Sequence, residues 1–203
     1  MLKIGLTGSI GMGKSTTAGF FAAAGVPVND SDAVVHALYS GKAAPLIDEV
    51  FPGTIKDGAV DRQELSRQLT LKPDGFKRLE AIVHPLVRER EDEFIRQQTD
   101  ADAEMVVLDI PLLFETGADT RVDIVVVVTC DPQIQRDRVL ARPGMTEEKF
   151  GMILSRQTPD ALKRARADYL VDTGHSKEAA RQRVQEIIAD LKSRLAKGDF
   201  RNA

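Results

Sequence analysis

Apolar residues along this chain collect in short runs separated by stretches with helical spacing. The runs lie at residues 2–7, 26–29, 104–109 and 123–129, with a weaker one at 169–172. The run from Asp123 to Thr129 shows no polar alternation, which predicts a central strand buried on both faces. Between runs the spacing changes. Residues 16–24 are compatible with a helix closed by Gly25, and Val184, Ile187, Ile188, Leu191 and Leu195 mark an amphipathic packing helix over 176–197. Strands alternating with helices predict an α/β fold: a parallel sheet of about five strands covered by helices.

The alternation breaks between residues 33 and 102. No strong strand signal appears there, but helix signatures do. Asp61-Arg62-Gln63-Glu64 resembles a capping box followed by Leu65 and Leu69, and Phe76, Leu79, Ile82 and Val83 form a second apolar stripe. Leu86, Arg90 and Phe94 extend a helix after Pro85, while Gly53 and Gly58 are expected to turn the chain. A helical insertion of about 70 residues between two sheet strands is too long for a crossover, which marks a substrate-recognition part. The expected organisation is one domain: residues 1–32 and 103–203 form a nucleotide-binding core, 33–102 an acceptor-binding insertion, and 140–160 a lid.

That core is called nucleotide-binding because of residues 8–15, Gly-Ser-Ile-Gly-Met-Gly-Lys-Ser, a complete G-x-x-x-x-G-K-[ST] phosphate loop (P-loop). It sits between the first apolar run and the first helical stretch, the strand–loop–helix setting that the motif requires. Its glycines let successive N–H groups converge on a phosphate, and the helix N-terminus adds its positive dipole end. Gly11, Met12, Gly13, Lys14, Ser15 and Thr16 are the expected nucleotide contacts. Lys14 would supply charge to the β- and γ-phosphates, and the Ser15 hydroxyl would ligate Mg²⁺. Lys14 is expected to contribute nothing to packing.

Composition narrows the class. Hydrophobic residues make up 42% and charged residues 29% of the 203, a globular balance that argues against disorder. Cys130 is the single cysteine, so an internal disulfide framework is excluded and a cytoplasmic location is expected. The N-terminus enters the first strand with no visible signal peptide, and no apolar run approaches the ~20 residues of a membrane helix. A net charge of −3 gives no support for nonspecific nucleic-acid binding. Within it, residues 136–166 hold eight Lys/Arg against four acids. That local excess is either an anion-facing lid or a pair of solvated helix faces.

Two acidic sites could work beside the loop. Asp30 and Asp32 follow the second strand, where ligands collect beyond the carboxyl ends of parallel strands. Either could accept a proton from an attacking hydroxyl, and either could instead cap the helix that begins there. Asp109 ends the strand Met105–Leu108, the form of an acid that holds Mg²⁺; the alternative is a turn residue before Pro111. His84, between two helical stripes, is either a structural residue or part of a site. No His/Cys cluster has zinc-ligand spacing.

Taken in order, these blocks resemble the dephospho-CoA kinase family. The matching residues are Gly5-Leu6-Thr7-Gly8-Ser9-Ile10-Gly11-Met12-Gly13-Lys14-Ser15-Thr16, the Asp30-x-Asp32 pair, Ile82-Val83-His84-Pro85 and Asp109-Ile110-Pro111-Leu112-Leu113-Phe114-Glu115. Gln135-x-x-Arg138-x-x-x-Arg142, Gln157 and Ala167-Asp168-Tyr169 complete the set and carry it across nearly the whole chain. The resemblance implies a P-loop NTPase fold and ATP-dependent phosphorylation of the ribose 3′-hydroxyl of dephospho-CoA, with Mg²⁺. It implies Asp32 as the base, Arg142 as a lid arginine on the ATP phosphates, and His84 and the helical insertion on the acceptor side. The expected catalytic set is then Asp32, Lys14 and Arg142, with Asp32, His84 and Arg138 on the acceptor and Ser15 and Asp109 toward the metal. Ser9 and Met12 replace residues that are usually Gly and a small residue. Asp172-Thr173-Gly174 lacks an asparagine many relatives carry, which leaves the adenine contacts unassigned.

Two other readings compete. A nucleotide-dependent switch would carry Asp-x-x-Gly and Asn-Lys-x-Asp, yet no glycine here has Asp three residues before it, and Asn29 and Asn202 precede Asp and Ala. A nucleoside monophosphate kinase-like enzyme would share the architecture and differ in its acceptor. The Asp-Ile-Pro-Leu-Leu-Phe-Glu block argues for dephospho-CoA. Oligomeric state is not legible in the sequence.

Overall fold

A computed structural model describes residues 1–200. In chain order the elements are β1 (Leu2–Thr7), α1 (Lys14–Ala23), β2 (Val28–Asp30), α2 (Ser31–Tyr39), α3 (Ala43–Val50), β3 (Ile55–Lys56), β4 (Ala59–Val60), α4 (Arg62–Leu71) and α5 (Gly75–Asp100). They continue with β5 (Met105–Asp109), β6 (Ile124–Thr129), α6 (Pro132–Leu140), α7 (Glu147–Ser155), α8 (Asp160–Ala165), β7 (Tyr169–Asp172) and α9 (Lys177–Lys197). Two compact units result, one of residues 30–97 and one of residues 1–29 with the chain from 98 onward.

The larger unit is built on a five-stranded sheet in the order β2-β5-β1-β6-β7. β1 runs parallel with both β5 and β6, and β6 runs parallel with β7. Every residue of β5 and β6 is buried, as expected of strands covered on both faces, and the valines of β6 suit a pleated, buried surface. Leu2, Ile4 and Leu6 of β1 join Phe21 of α1 and Val184, Ile187 and Leu191 of α9 in one core. The parallel register places Thr7, Asp109, Thr129 and Asp172 along the carboxyl edge of the sheet. Chain order reverses across β1, so the loop after β1 leaves the sheet at a topological switch point. β2 starts later than residue 26 because Pro27 has no N–H to give the ladder; its carbonyl accepts from Val107 N at 2.8 Å.

The smaller unit has its own core of Leu38, Ile47, Leu65, Leu69 and Val83, supplied by α2 to α5, with Phe51 from just after α3. It differs from the sequence expectation at three points. β3 and β4 form an antiparallel hairpin, turned by Asp57 and Gly58 with φ of 52° and 78°. Positive φ at both central residues is the type I′ geometry that an Asp-Gly pair favours. Secondly, α5 is one helix of 26 residues that continues through Pro85. Pro85 has no N–H to give the carbonyl of Ala81, four residues earlier. Finally, the capping box is half formed. Asp61 accepts from the amides of Gln63 and Glu64, whereas Glu64 turns outward to Arg67 and Gln68.

Among the described residues no helix is long and apolar enough to cross a membrane.

Candidate functional site

The turn from β1 into α1 takes its shape from two glycines. Gly11 has φ +80°, and a Cβ there would stand 2.5 Å from Val139 Cγ2; Gly13, the N-cap, has φ +91°. L side chains rarely adopt that backbone, and at Gly11 there is no room for one. No side chain caps α1, whereas Asp30, Asp61, Asp131, Thr146 and Ser176 cap α2, α4, α6, α7 and α9. Thr17 N, bonded to Gly13 O at 3.1 Å, is the first amide used by the helix. The amides of Lys14, Ser15 and Thr16 precede that bond, which makes this N-terminus a ready anion site.

Neighbouring elements hold the loop still. Gln135 of α6 donates to Ile10 O at 2.7 Å, and Gln157 accepts from Ile10 N at 3.1 Å. Thr173, just beyond β7, donates to Met12 O at 2.7 Å. Arg138 in turn grips Thr173, donating to its hydroxyl at 2.9 Å and its carbonyl at 2.7 Å. Met12 points inward: its side chain is buried in the core and its sulfur accepts from Cys130 N.

Beside the loop lies a cavity of about 320 Å³. Gly11, Gly13 and Thr16 form one side, Phe20 and Ala180 an apolar wall, and Arg138 and Arg142 bring positive charge. Phosphate donors, a flat apolar wall and two guanidinium groups suit an adenine nucleotide. Arg142 is exposed in the turn between α6 and α7, directly before Pro143 and Gly144. On the other side of Lys14, its Nζ meets Asp109 Oδ1 at 2.5 Å, with side-chain exposures of 12% and 3%. Ser15 is exposed on the first turn of α1.

A hydroxyl and a carboxylate are hard oxygen donors of the kind Mg²⁺ takes, and that ion usually completes its shell with phosphate oxygens and water. Among the described residues no cluster of three or more His, Cys, Asp or Glu could hold a metal alone. The donor set therefore fits an ion that arrives with a nucleotide.

In the smaller unit the two aspartates divide. Asp30 Oδ1 accepts from Asp32 N at 2.9 Å and Ala33 N at 3.1 Å, so Asp30 is the N-cap of α2. Asp32, on the first turn, is exposed, and its side chain lines a separate cavity with Tyr39 and Arg62. His84 is exposed on α5.

The sequence model of the dephospho-CoA kinase family matches residues 2–178. The chain belongs to this family. A dephospho-CoA kinase of Rhizobium etli is 73% identical over 203 residues, covering 100% of both chains, and one of Agrobacterium fabrum is 62% identical over 94% of this chain and 98% of its own. Among solved structures, a dephospho-CoA kinase from Campylobacter jejuni superposes with a TM-score of 0.70 at 25% identity, covering 98% of each chain. A Thermus thermophilus protein reaches 0.80 at 33% identity, covering 94% of this chain and 97% of its own.

In this dephospho-CoA kinase family member Arg138 lies in the wall of the phosphate-loop cavity, bonded to Thr173. Thr173 itself escaped sequence reading. Its signal was position, a polar residue directly after the last parallel strand. Gln135, Gln157 and Glu115 belonged to recognisable blocks without an assigned task.

Glu115 proves to be the partner of a buried lysine. Lys163 Nζ, fully buried, lies 3.1 Å from Glu115 Oε1, and the same oxygen accepts from Thr158 N at 2.6 Å. Thr158 adjoins Gln157, so this pair anchors the segment that holds the phosphate loop. Burial alone would raise the Glu115 carboxyl; the amides of Thr158 and of Glu115 itself, with the Lys163 ammonium, outweigh it and hold the group below its ordinary value. A depressed folded pKa means that the carboxylate stabilises the fold above the unfolded pKa, and that this contribution is lost as pH falls through the folded value. Removing one member leaves a buried charge alone, so Glu115→Leu is expected to cost about 3–5 kcal/mol. The Glu115→Leu/Lys163→Met double variant should recover most of it in urea unfolding. A double variant as unstable as the single one would rule out the unpaired charge as the cause.

Proposed function

We infer that this protein transfers the γ-phosphoryl group of ATP to the ribose 3′-hydroxyl of dephospho-CoA, giving coenzyme A and ADP. The observation that carries this reading is the family match over residues 2–178, which takes in the whole of the smaller unit and most of the larger one. The phosphate loop, its open helix N-terminus and the adjoining cavity support the kinase half independently. A coupled assay of ADP release tests it across dephospho-CoA, nucleoside monophosphates and sugars. Turnover confined to dephospho-CoA is expected; faster turnover with a nucleoside monophosphate would replace the acceptor assignment. Work in the cytoplasm suits a chain whose single cysteine, Cys130, is a free thiol.

In this reaction the acceptor O3′ forms a bond to the γ-phosphorus as the bond to the β,γ-bridging oxygen breaks, and ADP carries away that electron pair. Asp32 accepts the hydroxyl proton and later releases it to water. The amides of residues 14–16 and the Lys14 ammonium stabilise the phosphates as charge spreads over them. Ser15 and Asp109 would hold Mg²⁺, which when bound neutralises phosphate charge and orients the chain of phosphates. Arg138 belongs with the nucleotide on this view, and the helical unit, His84 included, serves the acceptor.

Arg142 acts from a lid over residues 140–160, closing on ATP and excluding water that would otherwise hydrolyse it. Its exposure and its place before Pro143-Gly144 support that motion. Hydrogen exchange across residues 140–160 should slow when a non-hydrolysable ATP analogue binds. Unchanged exchange there would count against a lid.

A further inference from the structure

Two arginines reach the phosphate-loop cavity, and their side chains are placed differently. Arg142 stands exposed in the turn before Pro143 and Gly144. Arg138, on α6, is fixed by the segment after β7. Its Nη1 donates to the Thr173 hydroxyl at 2.9 Å and its Nη2 to the Thr173 carbonyl at 2.7 Å. That pair of nitrogens is the end of the guanidinium fork, one of the edges with which arginine grips a phosphate. Here a hydroxyl and a backbone carbonyl occupy it. The neighbouring carboxylate of Asp172 is engaged elsewhere: Oδ1 accepts from Gly174 N at 2.7 Å, and Oδ2 lies 3.7 Å from His175 Nε2.

The Thr173 hydroxyl has one proton to give. Two carbonyls lie near it, Met12 O at 2.7 Å and Thr129 O at 3.4 Å, and Thr129 O already accepts from Thr173 N at 2.9 Å. The proton therefore goes to Met12. A hydroxyl that accepts from a cation is polarised and becomes a stronger donor, so Arg138 tightens the bond that Thr173 makes to the loop.

That bond controls more than one atom. A trans peptide is planar, so holding Met12 O also fixes the Gly13 N–H on the opposite side of the same plane. Gly13 is the N-cap of α1, and it packs against the same side chain. A Cβ there would stand 3.1, 3.2 and 3.3 Å from Oγ1, Cγ2 and Cβ of Thr173. Thr173 thus sets both the plane and the spacing with which the chain enters α1, directly before the amides of Lys14, Ser15 and Thr16. Gln135 and Gln157 hold the loop at Ile10, and Thr173 supplies the fixed point on its helix side.

We propose that Thr173 is a positioning residue of the nucleotide site, holding the Met12–Gly13 peptide so that the open amides of α1 meet the phosphates, and that Arg138 acts on the phosphates through Thr173. Direct pairing with phosphate falls to Lys14 and Arg142. The assignment rests on the functional reading above, because it takes ATP as the occupant of this cavity. It deepens that reading by dividing the work of the two arginines.

Thr173→Ala and Thr173→Ser differ by one oxygen, and titration calorimetry with a non-hydrolysable ATP analogue reads its effect on the full-length protein. Thr173→Ala is expected to raise the dissociation constant about 5–30-fold, and Thr173→Ser to stay within about three-fold of wild type. Both variants lose the methyl group, so a role in packing alone would weaken them alike. Arg138 is exposed, so Arg138→Ala should fold, which a urea midpoint near wild type would verify. Its loss of analogue affinity should resemble that of Thr173→Ala. The double variant Arg138→Ala/Thr173→Ala should lie within about two-fold of the weaker single one, the non-additivity of residues in one chain of bonds. Dephospho-CoA affinity should stay within about two-fold in all four variants. A serine variant as weak as the alanine one would overturn the role of the hydroxyl. Losses that multiply in the double variant would overturn the relay and put Arg138 on the nucleotide itself. Equal losses for the analogue and dephospho-CoA would overturn the proposal as well, because the whole protein would then be disturbed. A wild-type protein that fails to bind the analogue would instead overturn the reading of the cavity as the ATP site.

Discussion

Asp32→Asn is expected to lower kcat by about 10²–10⁴-fold, with dephospho-CoA affinity changed far less. Asparagine keeps the shape and hydrogen-bonding reach of the side chain and loses the ability to take a proton. The structure removes the main confounding role, since the cap of α2 belongs to Asp30, through bonds of 2.9 and 3.1 Å to the amides of Asp32 and Ala33. Asp32 also sits exposed in the first turn of a helix, where its negative charge favours the dipole by only about 0.3–1 kcal/mol. Its neutralisation should therefore leave α2 in place. Asp30→Asn is the paired control, because asparagine caps about as well as aspartate and near-normal activity is expected. Single-turnover phosphoryl transfer, measured beside dephospho-CoA affinity, separates the cases. Full activity in Asp32→Asn, with the loss confined to Asp30→Asn, would mean that the base is the other carboxylate.

Strands were legible in this sequence because buried parallel strands are continuous apolar runs. β6, Ile124–Thr129, differs by one residue from the run at 123–129, and β7 matches residues 169–172. The phosphate loop was equally plain, since its geometry depends on glycines whose spacing is fixed. What escaped was structure set by few residues or by distant ones. The hairpin at Asp57-Gly58 has strands of two residues each, too short for any alternation to register. Its one available signal was the Asp-Gly pair itself. Pro85 read as a boundary, but a flanking apolar stripe on each side kept α5 continuous although Pro85 has no N–H to give.

Contacts across the chain were the other blind spot. Thr173 holds Met12 across 161 positions and Gln157 holds Ile10 across 147, and no local pattern could register either. Glu115 and Lys163 each look like a solvated charge in sequence, and only the fold shows that α8 turns the lysine inward. The division of labour between Asp30 and Asp32 was open for a different reason. Both residues are good helix caps, so the choice depended on where β2 ended.

Lys14→Ala is expected to reduce phosphoryl transfer by about 10³-fold or more, since the ammonium acts on charge that develops during transfer. The sequence suggested that the fold would be indifferent to this change. The structure argues otherwise. Lys14 Nζ lies 2.5 Å from Asp109, whose side chain is only 3% exposed. Truncating the lysine takes the ammonium away from a buried carboxylate, with an expected loss of about 1–3 kcal/mol. Lost activity in the single variant therefore mixes two effects. Lys14→Ala/Asp109→Asn separates them, because the neutral amide no longer needs the ammonium. The double variant should regain stability in urea unfolding while remaining inactive. If it is as unstable as Lys14→Ala, the buried pair is not the reason for the loss. If instead Lys14→Ala turns over at a near-normal rate, the phosphate loop does not bind ATP as assigned, and the cavity beside it needs another occupant.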